Sequence, residues 1–147
     1  MNITQRSAVA TWEGSLARGR GSLASQTGAL TGLGVSWDAR TGAAGELTSP
    51  EELAAAAHSS CFAMALALKL GEARLDPQRL RVEAVVSLDD VDGVPTISSS
   101  RLVVRAQVGG IDGDAFQKVV DEAAALCPVS RLFAGASITV EAHLDPS

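Results

Sequence analysis

The residues most able to carry chemistry are the two cysteines of the chain, Cys61 and Cys127. Cys61 lies inside an alanine- and leucine-rich stretch, whereas Cys127 directly precedes Pro128 at a break in an apolar pattern. A thiol reacts as its thiolate, which burial disfavours and which a nearby cation or a helix N-terminus favours. Two cysteines are too few for a disulfide scaffold in a domain of this size, so the pair indicates structural burial, metal binding or redox chemistry.

A strong helix-start pattern precedes the first cysteine. Ser49 can cap the helix, Pro50 suits the first helical position, and Glu52 completes a capping box. The apolar pattern runs from there to Leu70, and Gly71 supplies a C-terminal stop. Because the segment has little polar surface on any side, we expect a central helix that is buried all round.

The remaining segments predict an α+β fold. Residues 7–37 are polar and punctuated by glycine, which favours short strands joined by tight turns, and residues 38–47 are typical of a loop.

Further along the chain, 81–88 and 97–108 predict two strands around a turn at 89–95. Helical spacing over 111–127 predicts a second helix, followed by another turn or short helix, and the alternation over 138–144 predicts a last, half-exposed strand.

Composition limits the classes of function. The chain has 147 residues, 46% of them hydrophobic, which suffices for the core of one domain spanning 1–147. Its net charge of −5 argues against nucleic acid or a membrane surface as a partner, because both require an excess of basic residues. The N-terminus lacks the apolar segment of a signal peptide, and the run 53–68 is too short and too polar in its middle to span a membrane. We therefore expect a cytoplasmic protein.

The sequence around both cysteines resembles one family. Residues 49–66, SPEELAAAAHSSCFAMAL, look like the peroxidatic-cysteine helix of the OsmC/Ohr family, the osmotically inducible and organic-hydroperoxide-resistance proteins. The segment 127–130, CPVS, resembles the second-cysteine motif of that family. The TWEG start at 11–14 with GRG at 19–21 resembles the OsmC branch in particular. The resemblance covers nearly the whole chain, with both cysteine motifs in order.

The resemblance implies a fold and a set of roles. The family fold is α+β, with antiparallel sheets around two central helices in an intertwined homodimer. Cys61 matches the peroxidatic cysteine, which attacks the peroxide and becomes a sulfenic acid. Cys127 matches the resolving cysteine, which condenses with it to an intramolecular disulfide. Glu51 matches the glutamate at the helix start, and Arg40 is the position that we match to the family's arginine.

The implied function is a thiol-dependent peroxidase that reduces organic hydroperoxides to alcohols without flavin, haem or metal. Its reductant would be a dithiol, of the lipoamide type in the organic-hydroperoxide-resistance branch. Two alternatives stay open. One is a zinc module held by Cys61, Cys127 and His58, for which no CxxC pair and no fourth ligand is evident. The other is a non-catalytic dimeric stress protein whose cysteines only pack.

Each candidate side chain also has a structural explanation. Glu51 suits the first turn of any helix, because a carboxylate there complements the helix dipole. An arginine in a glycine-rich loop is ordinarily a surface charge, and Arg20 and Arg18 are weaker matches than Arg40. We expect His58, one turn before Cys61, to be a packed, hydrogen-bonded core histidine rather than a ligand or base.

The spacing of Glu51 and Cys61 has a geometric consequence. Ten positions separate them, so on one straight helix they stand about 15 Å apart. If both serve one site, a two-fold pairing of chains can bring Glu51 of one chain to Cys61 of the other, with two equivalent sites per dimer. We expect Phe62 and Met64, beside the cysteine, to lie in the core; the alternative is that they line an apolar mouth for an organic substrate.

Overall fold

The computed structural model describes residues 1–42 and 45–146. The chain divides into two compact units, Met1–Leu53 and Ala54–Ser147. Within the described residues, six strands form two three-stranded sheets, and four helices accompany them. The α+β class that the sequence predicts is therefore confirmed.

The first unit contains an antiparallel sheet in the order β1-β2-β3. Its elements are β1 (Ala8–Glu13), β2 (Arg20–Ser25), β3 (Leu33–Val35) and a short helix, α1 (Trp37–Thr41). The glycine-punctuated segment thus forms the strands that we predicted. Gly21 is required by close packing, because a Cβ there would stand 2.7 Å from Val35 Cγ2 and 2.9 Å from the ring of Trp12.

The loop predicted over 38–47 is wrong in its first part, where the structure has α1. The Ser36 hydroxyl accepts a hydrogen bond from the N–H of Ala39 at 3.0 Å, and this cap begins the helix. A helix of five residues is too short to show a periodic pattern, so the glycines beyond it dominated the prediction. Residues 43 and 44 of the predicted loop lie outside the described residues.

The long helix α2 (Pro50–Glu72) begins as predicted. The Ser49 hydroxyl accepts a hydrogen bond from the N–H of Glu52 at 3.1 Å, and Pro50 is the first helical residue. The capping box differs from the prediction in its second half. The Glu52 carboxylate accepts a hydrogen bond from the hydroxyl of Thr48 at 2.7 Å, so it ties down the chain that enters the helix.

The end of α2 lies two residues beyond the predicted end at Leu70. Gly71 is inside the helix, and Arg74, with φ of 60°, takes the left-handed conformation that terminates it. The N–H of Arg74 bonds to the carbonyl of Gly71, and that of Leu75 to the carbonyl of Leu70, both at 2.9 Å. These two bonds form a Schellman motif, in which a non-glycine residue takes the place usually held by glycine.

The second unit contains a mixed sheet in the order β4-β5-β6. Its strands are β4 (Pro77–Val91), β5 (Val94–Val108) and β6 (Ser137–Asp145). The connection between β4 and β5 is much shorter than the turn predicted over 89–95, because only Asp92 and Gly93, with φ of 54° and 81°, lie between the strands. Strand β6 runs parallel to β5, which departs from the purely antiparallel sheets that the resemblance implies. The helices between these two strands supply the crossover that a parallel pair requires.

Two helices, α3 (Gly113–Leu126) and α4 (Pro128–Leu132), connect β5 to β6 and confirm the helices predicted there. The core of the second unit brings together α2, β5 and α3. Its fully buried hydrophobic side chains are Phe62, Leu66, Leu70, Leu102, Val104, Val120, Ala123 and Cys127. Alternate residues of β5 therefore face the two longer helices, and the other face of that strand is left to the surface.

Helix α2 is buried on one face only in the single chain, which corrects the prediction that it is buried all round. Phe62 lies in the core as expected, but Met64 is 68% exposed and Leu68 is 55% exposed. The small residues Ala56, Ala57, Ser60 and Ala67 share this exposed face. By length and composition alone, α2 is also apolar enough to cross a membrane. An exposed apolar face of this kind is typical of a contact surface for another chain.

Candidate active site

The two cysteines lie on α2 and at the break between α3 and α4. Cys61 is in the middle of α2 and partly buried, whereas Cys127 is fully buried. Pro128 causes the break, because its ring disfavours helical backbone in the residue before it. Cys127 accordingly has φ of −57° and ψ of 117°, and α4 begins directly after it. Both thiols are free.

The structure brings the two thiols together. Burial raises the pKa of the Cys61 thiol, the backbone N–H of Val129 opposes that rise by donating a hydrogen bond, and the neighbouring Cys127 thiol adds to it. None of these three influences is a positive charge. The surroundings of Cys61 in the second unit therefore favour the thiol over the thiolate, and activation near neutral pH requires a cation from elsewhere.

His58 lies one turn before Cys61 and is fully buried. Its Nδ1 is 2.6 Å from the Ser100 hydroxyl, its Nε2 is 2.8 Å from the Ser130 hydroxyl, and the Phe133 ring packs edge-on against it at 5.3 Å. Burial lowers the pKa of His58, which favours the neutral ring. The prediction of a packed, hydrogen-bonded core histidine is confirmed.

A zinc site fits this arrangement poorly. Both ring nitrogens of His58 are engaged by serine hydroxyls, so neither is available to a metal. Within residues 1–42 and 45–146, no group of three or more His, Cys, Asp or Glu side chains is placed to hold a metal ion. Cys61 and Cys127 alone would leave a tetrahedral site two ligands short.

In the first unit, α1 and the first turn of α2 place Arg40 and Glu51 in contact. Arg40 donates two hydrogen bonds to Glu51 Oε1, from Nε at 2.9 Å and from Nη2 at 2.8 Å. The Glu51 side chain is 10% exposed and that of Arg40 is 32% exposed. Glu51 Oε2 is buried and finds no hydrogen-bond partner among the residues described. Of the three arginines matched from the sequence, the structure pairs Arg40, and not Arg18 or Arg20, with Glu51.

A cavity of about 180 Å³ in the first unit is lined in part by Arg40; we refer to it as the Arg40 cavity. Its lining, which is mostly apolar, comprises Trp12, Leu16, Val35, Ser36, Trp37, Arg40 and Pro50. Trp37 was not among the candidates predicted from the sequence, and Trp12 was named only within the TWEG motif. A signal was available, because the chain has 2 tryptophans and both line this cavity.

Comparison with known proteins places this chain in a family. The model of the family described as OsmC-like protein matches residues 43–143. The chain belongs to the OsmC-like protein family. Peroxiredoxin OsmC of Escherichia coli strain K12 is 40% identical to this OsmC-like protein over 137 residues, covering 90% of this chain and 92% of the relative. The organic hydroperoxide resistance protein of Xanthomonas axonopodis pv. citri is 33% identical over 97 residues, covering 64% and 65%.

Solved structures agree with the family assignment. The crystal structure of the organic hydroperoxide resistance protein OhrB of Bacillus subtilis matches this OsmC-like protein with a TM-score of 0.72 and 28% identity, over 95% of this chain and 98% of that chain. An OsmC structure from Legionella pneumophila shares the fold with a TM-score of 0.73 at 20% identity, over 99% of each chain. The resemblance and the fold class predicted from the sequence are therefore confirmed. The names of these relatives, peroxiredoxin and organic hydroperoxide resistance protein, refer to peroxides.

Proposed function

We propose that this OsmC-like protein is a cysteine-based peroxidase that reduces organic hydroperoxides to alcohols at the expense of thiols. The observation that carries the proposal is the meeting of a partly buried thiol, Cys61, with a fully buried one, Cys127. A partly exposed sulfur can meet a substrate, and a protected neighbour can then capture the oxidised sulfur. Relatives named peroxiredoxin and organic hydroperoxide resistance protein support the same class.

The proposed cycle oxidises both cysteines once for each peroxide reduced and then returns them to thiols. The Cys61 thiolate attacks an oxygen of the peroxide, the O–O bond breaks, and the leaving alkoxide takes a proton to become the alcohol. Cys61 is then a sulfenic acid, which the Cys127 sulfur attacks; the S–O bond breaks, the disulfide forms, and water leaves with the thiol proton. A dithiol, for which we propose a lipoamide-type compound, returns both cysteines to thiols. Sulfur carries the electrons, so the scheme uses no flavin, haem or metal.

We assign the activation of Cys61 to Arg40, oriented by Glu51. A guanidinium beside Cys61 would offset the burial that raises the pKa of the thiol, and its planar set of donors can also hold a peroxide oxygen. Two hydrogen bonds to Glu51 fix the guanidinium, and the apolar lining of the Arg40 cavity suits the organic group of a hydroperoxide. These features favour a role for Arg40 in activating Cys61 over a purely structural ion pair with Glu51.

We further propose that the active protein is a homodimer. Glu51 and Cys61 lie on the continuous helix α2, whose rise places about 15 Å between them. The exposed apolar face of α2, with Met64 and Leu68, offers a surface for a second chain. In a two-fold arrangement, Arg40 and Glu51 of one protomer serve Cys61 of its partner. We infer that residues 1–147 act as one OsmC-like domain in the cytoplasm, where cysteines are kept reduced.

Steady-state peroxidase assays test this function. We expect cumene hydroperoxide and tert-butyl hydroperoxide to be reduced faster than hydrogen peroxide, because the Arg40 cavity is mostly apolar. A dithiol should support turnover better than a monothiol, because a dithiol can complete the reduction of a disulfide within one molecule. Cys61→Ser serves as the inactive control. Failure of the parent protein to turn over any of the three peroxides with either reductant would refute the proposal.

A non-catalytic stress protein is the second candidate, and one observation favours it. Burial raises the pKa of the Cys61 thiol, as expected of a cysteine that only packs. Counting free thiols before and after treatment with one equivalent of organic hydroperoxide separates the two functions. A peroxidase loses both thiols of each chain, whereas packing cysteines keep both.

A further inference from the structure

His58 and Ser130 form a second contact beside the two cysteines. The Ser130 hydroxyl lies 2.8 Å from His58 Nε2, and the Cys127 thiol lies against Cys61. Cys61 comes three residues after His58 on α2, whereas Cys127 comes three residues before Ser130. The segment that holds Cys127 therefore runs antiparallel to α2. The His58–Ser130 hydrogen bond and the contact between the two thiols are therefore successive contacts between the same two antiparallel segments.

The opposite edge of the His58 ring is anchored to the sheet. Nδ1 lies 2.6 Å from the hydroxyl of Ser100, a residue of β5 that is 1% exposed. Phe133, at the end of α4, packs edge-on against the ring with an interplanar angle of 83°. One imidazole thus contacts α2, β5 and the segment 127–133, which contains α4 and its two flanking residues and which we call the α4 segment. The orientation of the ring is therefore fixed from three sides.

The α4 segment depends on such an anchor. The helix has five residues, too few to be stable by itself, and Cys127 provides no side-chain cap for it. The backbone turns sharply at Cys127 because Pro128 follows. The position of the Cys127 sulfur is therefore set by tertiary contacts, and the hydrogen bond between Ser130 and His58 connects this segment to the helix of Cys61.

We propose that His58 is a positioning residue that acts through Ser130 to hold Cys127 in register with Cys61, and so sets the balance between disulfide formation and overoxidation. This inference rests on the proposed function, because it concerns the step after sulfenic acid forms. In that step the Cys127 sulfur displaces hydroxide from Cys61, and water leaves with the thiol proton. When capture is slow, a second hydroperoxide oxidises the sulfenic acid to a sulfinic acid and is itself reduced to the alcohol. His58 exchanges no proton with either sulfur in this scheme.

Thiol–disulfide exchange tests the positioning without any peroxide. Equilibration of the protein with reduced and oxidised dithiothreitol measures the effective concentration of Cys127 toward Cys61. Ser130→Ala removes the hydrogen bond to the α4 segment and should lower that concentration by about fivefold, the equivalent of one hydrogen bond. Ser100→Ala is the matched control: it removes the other hydrogen bond of the same ring and should leave the effective concentration near that of the parent.

A peroxide titration gives the second readout. At equal doses of cumene hydroperoxide, mass spectrometry should find several times more sulfinic acid at Cys61 in Ser130→Ala than in the parent or in Ser100→Ala. The first-turnover rate of peroxide consumption should change far less than the yield of sulfinic acid, because the α4 segment reaches the Cys61 thiolate through the single N–H of Val129. His58→Gln keeps an amide able to hydrogen bond and should fall between Ser130→Ala and the parent.

The outcomes separate this inference from the proposed function. An unchanged effective concentration in Ser130→Ala, or an equal loss in Ser130→Ala and Ser100→Ala, would overturn the role of His58. If the parent consumes no peroxide while Ser130→Ala still shows the selective loss in dithiothreitol exchange, the peroxidase proposal fails and the positioning role stands.

Discussion

Arg40 directs two N–H donors at a single oxygen of Glu51 and leaves the second oxygen buried, with no partner in the part of the chain that the structure describes. A buried carboxylate oxygen without a donor costs free energy, so such a pair is seldom kept for stability alone. The one-sided contact fixes the guanidinium while leaving Glu51 able to accept one more hydrogen bond. This is the geometry expected of a pair that orients a charge for use elsewhere.

The role of Arg40 can be tested through the reactivity of Cys61. Arg40→Ala should slow the oxidation of Cys61 by cumene hydroperoxide at neutral pH by roughly 100-fold, the usual effect of removing a charge-stabilising donor. Arg40→Lys should recover part of the rate, because an ammonium lacks the planar set of donors. Glu51→Ala should do less damage than Arg40→Ala, since it removes the orienting group and leaves the charge.

The measurement is the rate of Cys61 modification as a function of pH. Since burial raises the pKa of this thiol, the loss of the cation should move the rise in rate to higher pH. Arg18→Ala and Arg20→Ala are the matched controls and should react like the parent. If one of them is slow while Arg40→Ala is normal, the arginine assignment is wrong.

The two thiols should have separate roles in the cycle. One equivalent of organic hydroperoxide should convert the reduced protein to one Cys61–Cys127 disulfide per chain, detectable by peptide mapping. Cys61→Ser should abolish turnover because no nucleophile remains. Cys127→Ser should still reduce one equivalent of peroxide but then overoxidise at Cys61, because the sulfenic acid has lost its partner. Recovery of both thiols unmodified after treatment would contradict this prediction.

Mixed dimers test whether the site is shared between protomers. Glu51→Ala and Cys61→Ser chains are each impaired alone, but a dimer of one of each contains one intact site if Glu51 serves the partner's Cys61. Unfolding and reassembling an equal mixture should therefore restore up to about a quarter of the parent activity, since half of the dimers are mixed and each has one of two sites. Sedimentation should show a dimer that persists on dilution. A monomer with full activity, or a mixture that regains nothing, would favour a site within one chain.

Acid should destabilise the protein through His58. Burial lowers the pKa of this imidazole in the folded state, so below about pH 6.5 the unfolded chain binds a proton that the folded chain resists. The neutral ring therefore contributes fully to the free energy of unfolding above about pH 6.5. This contribution is lost as the pH falls below about 6.5 and through the lowered pKa that His58 has in the folded protein. Urea unfolding between pH 5 and 8 should show this slope in the parent and a smaller one in His58→Gln.

Local patterns explain which parts of the structure the sequence could predict. The start of α2 was predictable because Ser49 and Pro50 carry the signal within a few residues. Its end was not, because an arginine in the left-handed conformation at position 74 has no sequence signature. The parallel pairing of β6 with β5 depends on how the helices between them pack, which no single segment records.

In the candidate site, too, some residues could be predicted from the sequence and others could not. The two cysteines could be singled out by their residue type and position, their roles and Arg40 came from the family resemblance, and the structure adds that Arg40 contacts Glu51. The partners of His58 could not be predicted, because Ser100 and Ser130 lie 42 and 72 positions away and nothing in the spacing links them. Hydrogen bonds between distant segments depend on the folded topology, and one sequence read alone carries no pattern for them.

The distance along the chain between Cys61 and Cys127 has a thermodynamic consequence. The segment between these residues contains both long strands of the second sheet and helix α3, which is most of the second unit. A disulfide that closes so long a loop removes many conformations from the unfolded chain and stabilises the fold by about 4 kcal/mol on the chain-entropy account. In each proposed catalytic cycle the protein would then alternate between a more heat-resistant disulfide form and a less heat-resistant dithiol form. The melting temperature of the protein would thus report its redox state, and a thermal scan under peroxide would follow the chemistry without a chromophore.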